Sequence, residues 1–330
     1  MTISICIPSY NRPNELERCL KSIPASIGCE IVISDDCSPN QLEVTKRVKK
    51  FQKSHNIKYI PRDKNIGYDM NLNFLANQAT QEFILFISDD DFFYQEALKK
   101  LFNEISTLND ASVILTPVMG LKNMPRRKLD MTKHNFLKND KSIAGFIYES
   151  ILFSGLIFNR QKFLNFDVKN FKNSIYFQVY VASMLAIKYG YGYIDQVILK
   201  VGGDGENGFG SQADKDKDLA DRTSVLSDLN YHKRLHKIVK QIIQDSERDF
   251  MSAYRFEYTK RLLPRFIEMK SKKMGFAKDL KKEVLRQKIA LPFLTHVFYF
   301  SASLMPSSIL KGVNNLKYLY YNKEQDRKEF

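Results

Sequence analysis

Four times before residue 92 the chain runs a short branched-aliphatic stretch straight into a cluster of polar, turn-forming residues. The stretches are Ile3 to Ile7, Glu30 to Ser34, Ile57 to Ile60 and Phe83 to Ile87. Helical patterns at Asn14 to Ile23, Leu42 to Ser54, Met70 to Gln78 and Gln95 to Thr107 separate and follow them. This alternation is the signature of repeated βα units, and hence of an α/β domain on a mostly parallel sheet. The polar clusters are Ser9-Tyr10-Asn11, Asp35-Asp36-Cys37-Ser38, Arg62-Asp63-Lys64-Asn65 and Ser88-Asp89-Asp90-Asp91, each at a strand's C-terminal end. Open sheets of this class bind ligands there, so the four loops are expected to converge on one crevice.

The last cluster constrains chemistry most. Three adjacent carboxylates at a strand end repel one another, and burying them is costly unless a cation or hydrogen-bond donors offset the charge. A solvated acidic turn leading into the helix at Gln95 is one reading. The other is a site for a hard divalent cation, which prefers oxygen ligands and bridges to a substrate diphosphate. Asp35-Asp36 at a second strand end and Asn65-Ile66-Gly67 after a third favour the latter, because together they suit a ligand offering a cation and hydrogen-bond donors.

Ile5-Cys6-Ile7-Pro8-Ser9-Tyr10-Asn11-Arg12-Pro13, Ile31-Val32-Ile33-Ser34-Asp35-Asp36-Cys37-Ser38, Asn65-Ile66-Gly67 with Asn71, and Ile84-Leu85-Phe86-Ile87-Ser88-Asp89-Asp90-Asp91 occur in this order. In these pieces the chain resembles the family 2 glycosyltransferases, over roughly residues 1 to 118. The resemblance implies a GT-A, Rossmann-like nucleotide-sugar-binding domain. It implies that Pro8, Tyr10 and Arg12 line the nucleotide pocket, that Asp36 or Asp35 meets the base, and that Asn65 and Gly67 contribute to donor binding. By the same resemblance Asp89, Asp90 and Asp91 hold ribose and a Mn²⁺ or Mg²⁺ ion. The family's metal motif often begins with Asp where this chain has Ser88; a D-x-D pattern is still met by Asp89 and Asp91.

Beyond residue 118, Pro117 to Asp140 reads as a basic surface excursion. A short apolar segment, Ile151 to Phe158, a helix around Ser174 to Tyr189, a strand-like run from Tyr193 to Val201 and a glycine-rich stretch from Gly202 to Gly210 follow. Ser174 to Tyr180 and Gly203 to Phe209 are similar to the corresponding stretches of abequosyltransferase-type O-antigen enzymes, which act on lipid-linked oligosaccharides. Many inverting relatives keep a catalytic Asp near the start of the helix that Ser174 opens, yet no carboxylate occurs here from Val168 to Ile194. Either Gln178 occupies that position, or the base is Asp204 or Glu206 of the glycine-rich stretch. His232 and His236 are four apart on a helical pattern, but without a third ligand they read as surface residues.

Charge divides the chain. Of a net +14, residues 231–330 hold 22 Lys and Arg against 10 Asp and Glu, which leaves 29 against 27 before them. From about Asp216 onward the pattern is helical, so residues 1–215 are expected to form the catalytic domain, with donor and acceptor halves dividing near residue 118, and residues 216–330 a basic helical region. Ile289 to Leu310 contains no Lys, Arg, Asp or Glu, but Pro292 and Pro306 favour a helix lying in a membrane interface over a span. The basic residues are not interleaved with an aromatic stacking platform, which speaks against nucleic acid as the partner. The first ten residues lack a signal-peptide pattern, and four cysteines without metal-ligand spacing suit reduced thiols. The sequence is therefore expected to be a metal-dependent glycosyltransferase, cytoplasmic and peripheral on the inner face of the plasma membrane. Its expected partners are a UDP- or CDP-linked sugar donor, a polyprenyl-diphosphate-linked saccharide acceptor of O-antigen or capsule synthesis, and an anionic membrane surface. The rival readings are a catalytically idle, membrane-attached assembly factor of the same shape and a sugar-phosphate nucleotidyltransferase; the latter would carry a glycine-rich phosphate loop that Pro8 to Pro13 does not supply.

Overall fold

A computed structural model describes residues 2–105, 111–120, 125–126, 134–202, 225–271 and 277–306. The four predicted strands form within two residues of their expected bounds, as β1 (Ile3–Ser9), β2 (Glu30–Asp35), β3 (Asn56–Pro61) and β4 (Phe83–Phe86). The helices between and after them are α1 (Pro13–Lys21), α2 (Gln41–Lys49), α3 (Tyr68–Gln78) and α4 (Gln95–Glu104). Pro13 opens α1, where its missing N–H costs nothing and its fixed φ suits the first turn.

The first three strands and β4 are parallel, in the order β3-β2-β1-β4. The sheet continues through β10 (Leu156–Asn159), β6 (Val113–Leu115), β11 (Tyr191–Tyr193) and β9 (His134–Asn135). β10 is antiparallel to both its neighbours, β4 and β6, while β11 runs parallel to β6. A smaller sheet pairs β5 (Phe92–Phe93), β12 (Leu199–Lys200), β7 (Val118–Met119) and β8 (Pro125–Arg126). The start of the stretch read as a surface excursion is thus corrected: Val118 and Met119 are buried strand residues paired to β12.

Side chains alternate across the large sheet with period two, and both faces are apolar, as a parallel sheet covered by helices requires. Ile5, Ile7, Ile31, Ile33, Phe83 and Leu85 face one layer with Leu16 and Leu20 of α1, Val44 and Val48 of α2, and Leu98 and Leu101 of α4. Cys6, Val32, Ile84 and Phe86 face the other, with α3, α5 (Asp140–Glu149), α6 (Arg160–Leu164) and α7 (Phe177–Tyr189). That second layer does not end near residue 215. Leu235, Val239 and Ile242 of α8 (Val225–Ser246) and Phe250 and Tyr254 at the start of α9 (Met251–Ser271) belong to it. His236 is buried there over Tyr254, with ring centroids 5.9 Å apart, and burial pushes its pKa down to about 4. The surface expectation for His236 is corrected, because the helix turns that face inward.

A third cluster joins Tyr258, Leu262 and Phe266 of α9 to Leu280 and Val284 of α10 (Ala277–Arg286) and to Ala302 of α11 (Pro292–Leu304). No helix among the described residues is long and apolar enough to cross a membrane. The four cysteines are free, with Cys6 and Cys19 fully buried.

Phe163 is a hub of the second layer, its ring 5.6 Å from Phe86, 5.1 Å from Phe158 and 5.5 Å from Phe177. It ties α6, β4, β10 and α7 together. Truncating it leaves a cavity between elements that cannot close independently, so Phe163→Ala is expected to lower stability by about 3–5 kcal/mol in urea unfolding. A loss below about 1 kcal/mol would show that this layer relaxes around the void.

Candidate functional site

The parallel register sets the strand ends side by side: Ser9 lies opposite Asp35, and Asp35 opposite Pro61. Backbone bonds continue past the strands, from Asp36 N–H to the Ser9 carbonyl (2.9 Å) and from Arg62 N–H to the Asp35 carbonyl (3.0 Å). The four loops expected to converge do so because these ends are stitched in order.

Across the β1 and β4 loops the organising contact is ionic. Arg12 is buried and its Nη1 lies 3.0 Å from Asp89 Oδ1 and 3.2 Å from Asp90 Oδ1. The Tyr10 N–H donates to Asp89 Oδ2 at 3.3 Å. Burial alone would lower the Arg12 pKa, but Asp89 and Asp90 raise it on balance. Burial in turn pushes Asp89 up to about 6 against the pull of Arg12. Asp91 is pushed further, to about 7, first by burial and then by the charge of Asp90. Its Oδ1 accepts the Gly202 N–H at 3.0 Å. A Cβ on Gly202 would sit 1.7 Å from the Asp90 carbonyl oxygen and 2.5 Å from Arg18 Nη2, so only glycine lets this backbone touch the acidic loop.

The β2 loop is held from within. Asp35 accepts from the Ser38 N–H (3.1 Å), the Ser38 hydroxyl and the Tyr59 hydroxyl (3.2 Å). Asp36 accepts the N–H groups of Ile66 (2.8 Å) and Gly67 (2.9 Å), while Asn65 Nδ2 donates to its carbonyl at 2.9 Å. Burial raises both carboxyls above the usual range, and the donors offset this in part. Asp35, Asp36, Asn65 and Gly67 are thus brought together as one wall, with Pro8 opposite Ser34 on the adjoining strand. Asn11 and Cys37 carry left-handed backbone, with φ 57° and 64°, and the Asn11 N–H donates to Ser38 Oγ at 2.7 Å, locking the first two loops together.

Ser154, which the sequence did not single out, accepts the Ser88 N–H on its Oγ at 3.0 Å. Gln178 is 1% exposed, its Nε2 donating to the Ile151 carbonyl at 3.0 Å and its Oε1 without a partner among the described residues. Asp204 and Glu206 lie outside the described residues.

A second residue missed from sequence is Asp69. Its carboxylate, in the first turn of α3, accepts the Ile175 N–H (2.9 Å), the Phe177 N–H (3.1 Å) and the Ser174 hydroxyl (3.0 Å). It clamps the entry to α7, where Asn173 and the β-branched Ile175 take φ of 67° and 61°, a conformation Ile adopts only when its surroundings impose it. In the sequence an Asp after Gly67 reads only as a charge near a helix N-terminus. Its partners lie more than a hundred residues on, where no local pattern points to it.

Among the described residues no three His, Cys, Asp or Glu side chains converge as a ready metal cage. Hard divalent ions do not need one when a diphosphate is bound, since one or two carboxylates and water complete the shell. The all-oxygen donor set of the β4 loop fits such an ion, and Asp90 is the least buried of its three carboxylates.

The model of the family named Glycosyl transferase family 2 matches residues 4–171, half of the chain. An uncharacterized glycosyltransferase of Haemophilus influenzae is 30% identical over 117 residues, 35% of this chain and 38% of that protein. The poly(ribitol-phosphate) β-N-acetylglucosaminyltransferase TarS of Staphylococcus aureus is 31% identical over 104 residues, 30% of this chain and 18% of TarS. The matched stretches thus span well under half the length of these relatives. In three dimensions, residues 1–349 of TarS in complex with UDP-GlcNAc superpose with a TM-score of 0.51 at 16% identity, over 96% of this chain and 92% of that one. At that identity the likeness is one of fold, and the fold is the GT-A architecture expected from the sequence.

The Asp69 clamp yields a pH-dependent expectation. Burial first, against the three donors, pushes its carboxyl from 3.8 up to about 6. A raised folded-state pKa contributes stability that is fully present below the unfolded value and is lost as pH rises through the folded one. Asp69→Asn cannot titrate and offers one acceptor oxygen to three donors, so it should be about 1–3 kcal/mol less stable. That deficit should widen as pH falls from 7 to 4, because only the wild type takes up the proton. A deficit constant over this range in urea titrations would mean Asp69 does not titrate with folding.

Proposed function

The chain belongs to the family 2 glycosyltransferases, and from that premise we propose that it moves a sugar from a UDP- or CDP-linked donor to a saccharide acceptor carried on a polyprenyl diphosphate. Such a step belongs to the assembly of a cell-surface polysaccharide, O-antigen or capsule. The observation that carries the reading is the Arg12–Asp89–Asp90 cluster set beside the Asp36 wall. This puts a charged, oxygen-rich loop next to hydrogen-bonding loops at the strand ends of a GT-A sheet. The structure of TarS with UDP-GlcNAc supports a UDP-linked sugar as the first donor to test.

In this reading Pro8, Tyr10, Asp35, Asp36, Asn65 and Gly67 bound the nucleoside, and Asp89 orients Arg12 towards the β4 loop. Asp90 and Asp91 would hold a Mn²⁺ or Mg²⁺ ion, whose contribution is to offset charge on the departing nucleoside diphosphate. An amide does not take up a proton near neutral pH, and Gln178 is buried with its Nε2 committed to Ile151. We therefore assign the general base to Asp204 or Glu206. The Gly202 N–H bond to Asp91 favours this, since it anchors the start of that stretch to the acidic loop. The basic C-terminal third favours a peripheral site of action at the inner face of the plasma membrane.

Turnover tests the assignment directly. With UDP- and CDP-sugars and Mn²⁺, nucleoside diphosphate release is expected from the wild type, and Asp90→Asn should cut kcat by at least a hundredfold, about 3 kcal/mol of transition-state stabilisation. Asp90 is chosen because its partial exposure spares the fold. Full activity in the variant would remove the acidic loop from the mechanism. A wild type that binds donors yet never turns them over would favour the idle assembly factor.

A further inference from the structure

We propose that one face of α11 docks on an anionic lipid bilayer. Residues 292–304 contain no Lys, Arg, Asp or Glu, and the helix they form has two unlike apolar sides. The inner side is used for packing. Thr295 and Ala302 are buried, Tyr299 packs edge-on against Phe266 at 5.5 Å, and the Leu291 N–H donates to Thr259 Oγ at 2.9 Å. The outer side carries Phe293 (78% exposed), Val297 (41%), Phe300 (63%) and Leu304 (67%). Their spacing of four, three and four residues places them in a single stripe along the helix. Isolated exposed apolar residues are ordinary, whereas a contiguous row of them marks an interaction surface.

Charge on the elements around α11 identifies the partner. The Lys281 ammonium lies 4.2 Å from the Tyr299 ring centre, and Lys270 Nζ donates to the Met305 carbonyl at 2.7 Å and to the Ser303 carbonyl, at the end of α11. On α10, which packs against α11, Lys278, Lys281, Lys282 and Arg286 outnumber Asp279 and Glu283. An apolar stripe on a helix whose C-terminal end and neighbouring helix carry cations complements a surface that offers acyl chains beneath anionic headgroups. At thirteen residues the helix spans about 20 Å, short of the roughly 30 Å hydrocarbon core, so it lies in the interface without crossing it. Removing the segment from Ile289 onward would be a poor probe, because Ile289, Ala290 and Ala302 complete the third core cluster. The inference rests on the transferase reading only in giving a lipid-borne acceptor a surface to meet.

The full chain is tested without donor or acceptor, so this inference and the transferase reading fail separately. The wild type should sediment with phosphatidylglycerol-containing vesicles at least tenfold more than with phosphatidylcholine vesicles. The triple variant Phe293→Ser, Phe300→Ser, Leu304→Ser should lose at least tenfold of that binding with unchanged circular dichroism. Because the sequence contains no tryptophan, Phe300→Trp supplies a second readout that does not depend on the triple variant's folding: its emission should shift to the blue when the anionic vesicles are added. A wild type that binds no vesicles, a folded triple variant that binds as tightly as wild type, or an unshifted Phe300→Trp emission overturns the proposal. So does a wild-type dimer that the triple variant dissolves and vesicles do not, since the stripe would then be a contact between copies.

Discussion

A guanidinium held between two carboxylates fixes the centre of this molecule. Arg12 stands just after β1 and Asp89 and Asp90 just after β4, two strands that are neighbours in space but lie far apart in sequence. Neither partner tolerates burial alone. A lone buried ion costs several kcal/mol, whereas a hydrogen-bonded pair with further donors is sustainable. The Tyr10 N–H is such a donor on Asp89, and the Gly202 N–H serves Asp91 in the same loop. The loops are thereby held over the C-terminal ends of two interior strands in an arrangement that satisfies their charges.

What was legible in the sequence follows from the range of the forces involved. The parallel strands β1 to β4 and helices α1 to α4 announce themselves because burial on both sheet faces demands continuous apolar runs, and turns demand polar ones. The strand-end loops are legible for the same reason. Other features depend on partners distant in sequence. Leu156–Asn159 is an apolar run too short to declare its direction, and only the sheet shows it antiparallel between β4 and β6. Val118 and Met119 sit at the edge of a basic stretch whose composition suggests surface, yet pairing with β12 buries them. Asp69 and Ser154 act on backbone groups delivered by other segments. Gln178 could be singled out by its place near the start of α7, but not its hydrogen bond to the Ile151 carbonyl, which a separate segment supplies.

The C-terminal helices show how one segment serves two ends. Leu235, Val239 and Tyr254 complete the layer over α7, so this part of the chain contributes to the stability of the catalytic fold. Farther along, α9, α10 and α11 build a small core of their own around Phe266 and Leu280. The excess positive charge thus rides on helices anchored to the sheet domain, and a surface that engages them would hold the strand-end crevice in a fixed orientation.

The antiparallel strand β10 bears on how the chain is made. It fills the gap between β4 and β6, yet it leaves the ribosome some seventy residues after β4. During that interval the Phe83–Phe86 strand, four buried apolar residues in the finished protein, has β1 on one side and an open edge on the other. An unpaired apolar edge is a template for pairing with another chain. A nascent chain stalled before β10 would therefore be a candidate for chaperone capture or aggregation. The segment that carries the strand-end motifs, complete by residue 91, keeps the β4 edge open until Leu156–Asn159 has paired with it.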